Sequence, residues 1–315
     1  MKKIGNKEML VIDSHTHVWE KFRGQRSGDC PLELMPHGRA KQGDKVFQLL
    51  PPEYPDDAVK IGVLETYMEN NDVDKAVIIQ NPCYGDQREY VAGIVKDNPG
   101  KFVGIGLLDP RDKDNIGKEI DTHVKKYGFK GVKMEVPDTP FILDDPEYDI
   151  IWKKVLENDC LVLIDLGWGD GPYDYDNNIE KMRNVLKKYP DIKIVLPHLG
   201  VSRLWDEEQK YPFPKLQNTL SLLEINQENL WFDSSAIGEW DEHGEYPYPR
   251  SQEIIKSVKE RWGMDRIMWG TDFPTHLKLA TYKQYLDFII KHCDFLTQDD
   301  LEILLGKNAD KVYFQ

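Results

Sequence analysis

Leu161-Val162-Leu163-Ile164-Asp165-Leu166-Gly167 sets four apolar residues in a row against a carboxylate and a glycine. A strand with one face in water alternates apolar and polar residues, whereas an unbroken apolar run marks a strand covered on both faces, as in a parallel sheet under helices. The same grammar recurs along the chain. Strands are expected at Met9–Val18, Lys75–Asn81, Phe102–Asp109, Gly131–Val136, Leu161–Leu166, Ile192–Leu199, Leu230–Ala236 and Arg266–Thr271. Between them the spacing predicts a helix over Asp57–Asn71, where Val59, Val63, Leu64, Tyr67 and Met68 fall close to a 3.6-residue period. Further helices are expected over Asp86–Asp97, Asp112–Lys126, Glu147–Asn158, Asn177–Lys188, Lys215–Gln227 and Ser251–Trp262, with Tyr282–Lys291 and Gln298–Val312 closing the chain. Several open on Asp, Asn or Ser, whose side chains accept from the free N–H groups of a first turn.

Eight strands alternating with helices in 315 residues predict an α/β fold, a (β/α)8 TIM barrel, in a single domain spanning residues 1–315. A doubly wound open sheet is the rival that periodicity does not exclude. One connection is out of scale. Glu20–Asp56 separates the first strand from its helix and carries four glycines (Gly24, Gly28, Gly38, Gly43) and five prolines (Pro31, Pro36, Pro51, Pro52, Pro55). It reads as a long irregular insertion after strand one, either a substrate lid beside that strand's C-terminal end or a surface excursion.

Composition narrows the function. Lys and Arg number 41 against 55 Asp and Glu, a formal net charge of −14, so neither nucleic acid nor an anionic membrane is an expected partner. No apolar run approaches the roughly 20 residues of a membrane span, and Met1–Glu8 lacks the apolar stretch of a secretory signal. Cys30, Cys83, Cys160 and Cys293 lie far apart with no CxxC pair, which reads as reduced thiols in a cytoplasmic protein. The remaining expectation is a small-molecule substrate, with a homodimer as the default assembly.

Chemistry-bearing residues gather at expected strand ends. Val11-Ile12-Asp13-Ser14-His15-Thr16-His17 puts His15 and His17 on one face of the first strand, because residues two apart share a face. Two neutral imidazoles suit zinc, iron or manganese but do not complete a site, and they could equally be hydrogen-bonded core histidines. His198 ends the run Ile192–Leu196, Asp272 follows Ile267-Met268-Trp269-Gly270-Thr271, and Asp165 ends Leu161–Ile164. Each aspartate alone is explained by a turn or a helix cap, but in a barrel these ends converge on one mouth. Lys133 and Glu135 share a face of the fourth strand: Glu135 as an extra carboxylate ligand, Lys133 as a contact for a substrate carboxylate or, if carbamylated, a bridge between two metals, or the two as a salt-bridged rim pair. Trp19, Trp168 and Trp240 are candidate aromatic walls; His37, Arg39 and Arg203 are candidate carboxylate contacts; and His276 could support Asp272 from behind. His123, His243 and His292 read as solvated. Neither GxGxxG, Walker nor GxSxG spacing occurs.

His15-Thr16-His17-Val18-Trp19-Glu20, Pro197-His198-Leu199-Gly200 and Trp269-Gly270-Thr271-Asp272-Phe273-Pro274 together resemble the amidohydrolase-related family of (β/α)8 enzymes, which includes decarboxylases, hydratases and lactonases. The likeness runs from His15 to the closing Leu304–Ala309 segment. It implies that His15 and His17 are metal ligands, that Asp272 ligates metal or holds the proton of an attacking water, and that His198 is an acid/base or a substrate polariser. The strand-five ligand of metal-bearing relatives is usually histidine. Asp165 stands there instead: an oxygen ligand that shifts preference from zinc towards manganese or magnesium if metal is bound, or else a sign of weak metal binding, since lactonase relatives with a similar histidine pair work without metal. The cofactor implied is a divalent ion, zinc first and manganese second, held by His15, His17, Asp165 and Asp272. Lys133, Glu135 and Trp168 would touch the substrate. The activity implied is metal-dependent hydrolysis of a small carboxylated or cyclic (lactone or amide) substrate, with non-oxidative decarboxylation as the alternative and binding without catalysis as a third reading.

Overall fold

The computed structural model of the chain describes residues 1–26, 30–54, 58–167, 173–201, 210–226, 228–241 and 244–315. Eight parallel strands form one sheet in chain order: β1 Ile12–Thr16, β2 Lys75–Ile79, β3 Phe102–Leu107, β4 Gly131–Glu135, β5 Leu161–Asp165, β6 Lys193–Leu196, β7 Leu230–Asp233 and β8 Ile267–Met268. β8 is only two residues long, so the ring closes onto β1 through single backbone contacts. Ser14 N donates to Trp269 O at 3.0 Å, Asp272 N to His15 O at 2.9 Å and His17 N to Phe273 O at 2.8 Å. The arrangement is the (β/α)8 barrel rather than the open sheet.

Helices follow every strand: α1 Ile61–Asn71, α2 Arg88–Asp97, α3 Ile116–Asp121, α4 Asp149–Glu157, α5 Tyr175–Lys188, α6 Pro214–Leu220, α7 Pro249–Trp262, α8 Tyr282–Asp287 and a closing α9 Gln298–Glu302. Among the described residues, none is long and apolar enough to cross a membrane. Side-chain caps come from Asp174, Thr281 and Thr297 at α5, α8 and α9, not from the Asp, Asn and Ser that open the expected helices: α1, α2, α3, α4 and α7 carry no side-chain cap bond.

Two apolar layers explain the unbroken strand runs. Ile12, Val77, Ile79, Val103, Ile105, Leu161, Leu163, Val195, Trp231 and Met268 fill the barrel interior, with Ala309 and Tyr313 closing its base. Alternate residues such as Val132, Val162, Ile164 and Ile194 join the larger cluster under the helices. Period-two alternation then decides what the mouth receives. The inward face of β5 reads Leu161, Leu163, Asp165, and that of β7 reads Trp231, Asp233.

Two expectations need correction. The insertion after β1 is not irregular: Gln25–Arg26 pairs with Cys30–Pro31, and Glu33–Met35, Arg39–Gln42 and Lys45–Gln48 make a three-stranded antiparallel sheet. Strands of two to four residues between glycines and prolines are too short to show a period in sequence. Its hydrogen bonds Arg23 N to Tyr84 O (3.1 Å) and Gln25 N to Pro82 O (2.8 Å) tie it to the loop after β2, and Phe47 and Leu49 reach the pocket. His123 is not solvated either; it is buried, with Nε2 2.9 Å from the Leu107 carbonyl oxygen.

Candidate active site

Local backbone turns aim the site. β6 ends at Leu196, and His198 (φ +57°), Leu199 (φ +58°) and Gly200 (φ +64°) turn in the left-handed region. Asp272 (φ +54°) does the same after β8. Non-glycine residues in this region are held there by their surroundings and cluster at functional sites. The turns place His198 and Asp272 at the mouth beside His15 and His17, with His15 to His17 ring centroids 5.0 Å apart and His15 to His198 4.9 Å.

The tautomers follow from their partners. His17 Nδ1 lies 2.7 Å from the Ile79 carbonyl oxygen, which can only accept, so Nδ1 carries the proton and a neutral ring keeps a lone pair on Nε2. That Nε2 sits 2.9 Å from Asp272 Oδ1. His15 Nδ1 lies 2.9 Å from Asp233 Oδ2 and donates to it, leaving a second lone pair on a buried Nε2 that has no hydrogen-bond partner, 3.7 Å from Asp272 Oδ1. Burial outweighs the pull of Asp233 and lowers His15 to about 4, so the ring is neutral near pH 7. Two imidazole lone pairs and a carboxylate oxygen therefore face one gap, with their ligand atoms within 4.8 Å of one another. Acceptors so arranged repel unless a proton or a metal cation lies between them, and two imidazoles with one carboxylate are a donor set that suits zinc and manganese. The residues fit the divalent ion that the sequence implied.

Behind them lies a second layer. Asp233 is held down to about 2 because His15 and His198 outweigh its burial. Asp272 lies well below the usual carboxylate range: burial pushes it up, but His276, His17 and His15 prevail. His276 Nδ1 is 2.7 Å from Asp272 Oδ2 and its Nε2 is 2.8 Å from Glu239 Oε1. Burial alone would lower that ring, yet Glu239 and Asp272 raise it to about 9.

Asp165 stands apart from this gap. Its Oδ1 accepts from Gly167 N at 2.8 Å and its Oδ2 lies 3.9 Å from His198 Nε2. Burial and the neighbouring Glu135 push its carboxyl up to about 6. Among the described residues, two trios can hold a metal, His15–His17–Asp272 and His15–His198–Asp233, and neither includes Asp165. Lys133 and Glu135 form a buried pair at 3.4 Å and both line the pocket. Burial lowers Lys133, but Glu135, Asp165 and Asp272 keep it raised.

Trp240 and His276 also line the pocket, whereas Trp19 stacks on Tyr84 at 4.2 Å as packing. His37 and Arg39 are exposed on the insertion. Trp168, Arg203 and His243 lie outside the described residues. Asp233, Ser235 and Glu239 were missed by the sequence reading. Only Asp233 carried a signal, since Leu230-Trp231-Phe232-Asp233 repeats the apolar run closed by a carboxylate seen in β5.

A closed parallel barrel with this donor set at its C-terminal rim defines a class of protein, and the chain belongs to the amidohydrolase family, whose model matches residues 12–315. It is similar, at 23% identity over 220 residues, to the gamma-resorcylate decarboxylase of Polaromonas sp. strain JS666. That match covers 59% of this chain and 64% of the relative, so the chain spans less than two thirds of that enzyme's length. Among solved structures, a probable 2-pyrone-4,6-dicarboxylic acid hydrolase from Acinetobacter baumannii, with citric acid bound, superposes at a TM-score of 0.70 with 18% identity, covering 98% of this chain and 100% of that one. A 5-carboxyvanillate decarboxylase from Novosphingobium aromaticivorans, complexed with manganese and 4-hydroxy-3-methoxy-5-nitrobenzoic acid, superposes at 0.56 with 17% identity, covering 80% and 79%.

Proposed function

We propose that the protein is a divalent-metal-dependent hydrolase of a small carboxylated or cyclic substrate, a lactone or an amide. The observation that carries this reading is the convergence of His15 Nε2, buried without a hydrogen-bond partner, and His17 Nε2, 2.9 Å from Asp272 Oδ1, on that one carboxylate oxygen. A divalent ion held there by His15, His17 and Asp272 would supply Lewis acidity to a carbonyl and to water. The chain's own residues do the rest. Asp272, with Oδ2 engaged by His276, keeps Oδ1 directed at the gap. His198 takes the proton of the attacking water at Nε2 and returns it to the leaving oxygen or nitrogen. Lys133, a buried cation lining the pocket, binds a substrate carboxylate or carbonyl oxygen.

Non-oxidative decarboxylation is the second reading, favoured by the similarity to the gamma-resorcylate enzyme. His198, first protonated at Nε2, would then deliver that proton to the carbon that loses its carboxylate, so the same residues serve both reactions. Incubating the protein with lactones and cyclic amides, and separately with hydroxybenzoate-like acids, distinguishes them. Ring opening without gas is expected, and carbon dioxide from the acids would replace the first reading with the second. His15→Ala with His17→Ala is expected to remove bound metal and activity while circular dichroism stays native. Full turnover by that variant would end both readings.

A further inference from the structure

Ser235, two residues beyond Asp233 at the end of β7, is buried between that carboxylate and His198. Its Oγ is in hydrogen-bond contact with Asp233 Oδ1 and lies 2.8 Å from His198 Nδ1. One hydroxyl has one proton to place. Asp233 already accepts from three N–H groups: His15 Nδ1 at 2.9 Å, His198 N at 3.0 Å and Ser235 N at 3.1 Å. A carboxylate ringed by donors is ionised and can only accept. The Ser235 proton therefore points at Asp233, and the oxygen is left as an acceptor towards His198. In the opposite arrangement, with the hydroxyl donating to His198, Ser235 oxygen and Asp233 Oδ1 would be two acceptors in contact.

We infer that Ser235 is a positioning residue that locks His198 as the Nδ1–H tautomer, leaving Nε2 as the lone-pair atom presented to the pocket. Asp233 thereby sets two imidazoles at once, His15 directly through Oδ2 and His198 through Ser235 from Oδ1. Both rings expose Nε2 to the same cavity, one towards the gap and one towards Asp165, whose Oδ2 lies 3.9 Å away. When His198 accepts a proton at Nε2, the resulting imidazolium keeps its Nδ1–H on Ser235, which passes the stabilisation to the Asp233 carboxylate without itself giving up a proton. The catalytic part of this inference rests on the proposed role of His198; the tautomer does not.

The test is nitrogen NMR of the zinc-loaded full-length protein carrying ¹⁵N-histidine, with His198 assigned by the signal lost in His198→Asn. A protonated Nδ1 and a pyridine-type Nε2 are expected in the wild type, and loss of that preference in Ser235→Ala. In turnover, Ser235→Ala is expected to lower kcat roughly tenfold or more with KM little changed, the size typical of losing a residue behind a ligand or base. Ser235→Thr, which keeps the hydroxyl, should restore both tautomer and kcat. A wild-type His198 protonated on Nε2 overturns the inference outright, even if Ser235→Ala does not fold. An unchanged tautomer and kcat in a folded Ser235→Ala overturns it too. The expected tautomer in a protein that turns over none of the substrates above would support the lock and count against the proposed reaction alone.

Discussion

A carboxyl group at position 165 is buried beside Glu135, where burial outweighs the pull of His198 and Lys133, and its stability consequence has a definite sign. Its folded value, about 6, lies above the usual 3.8 because of burial and Glu135. Between about pH 4 and pH 6 the folded chain then binds more protons here than the unfolded chain does, so stability is lost as pH rises through that window and stays lowered above it. Asp165→Asn removes the ionisation while its amide oxygen can still accept from Gly167 N. In chelator, the variant is expected to exceed the wild type by about 1–3 kcal/mol at pH 8 and to match it near pH 4, measured by urea denaturation at both pH values. A variant no more stable at pH 8 than at pH 4, relative to wild type, would refute the argument. The residue scale is also where sequence reading reaches its limit. His15, His17, His198 and Asp272 were legible because each ends an apolar strand run, and chain alternation or position at the rim aims it. Ser235 and Glu239, by contrast, act through His198 and His276, which other elements of the chain bring to them. Their partners depend on the left-handed turns at His198 and Asp272, which no local pattern announces.

Strands in a closed barrel leave different room at different glycines. Gly131 opens β4 opposite Leu161 of β5, and a Cβ there would stand 2.0 Å from the Leu161 carbonyl oxygen, an atom of backbone that cannot rotate away. Gly93, exposed in α2, would meet nothing within 4 Å. Gly131→Ala is therefore expected to destabilise by roughly 3 kcal/mol, at the upper end of overpacking costs. Gly93→Ala should stabilise by about 0.5–1 kcal/mol through helix propensity and lost unfolded-state freedom. Equal denaturation midpoints for the two variants would contradict the close approach of β4 and β5. The same packing explains why the eight strands could be read: burial on both faces forces continuous apolar sequence. The insertion after β1 obeys no such rule, because its strands are short, partly exposed and separated by turn residues. A sheet whose pattern is set by docking onto the barrel mouth looks like a loop when read alone.

Across the whole molecule, the acidic residues raise a question that binding alone does not answer: a chain of net charge −14 attracts divalent cations at many exposed carboxylates. Linkage separates a built site from that background. An ion that binds the folded state only stabilises it by about 2.7 kcal/mol at a free concentration one hundred times Kd. For a chain of this size that corresponds to a rise of about 5 °C in Tm, taking roughly 2 °C per kcal/mol. Zinc or manganese is expected to give such a rise with the wild-type protein, and a chelator to reverse it. Magnesium, harder and more reluctant to take imidazole, should give less. His15→Ala with His17→Ala should abolish the rise, and it should lower the metal-free Tm as well, because it takes the buried donors away from Asp233 and the Ile79 carbonyl. Diffuse attraction to surface carboxylates would instead raise wild type and variant together. Equal shifts in both would show that the two imidazoles and Asp272 make no common site, and the barrel's mouth would then need another account of why three acceptors are buried around one gap.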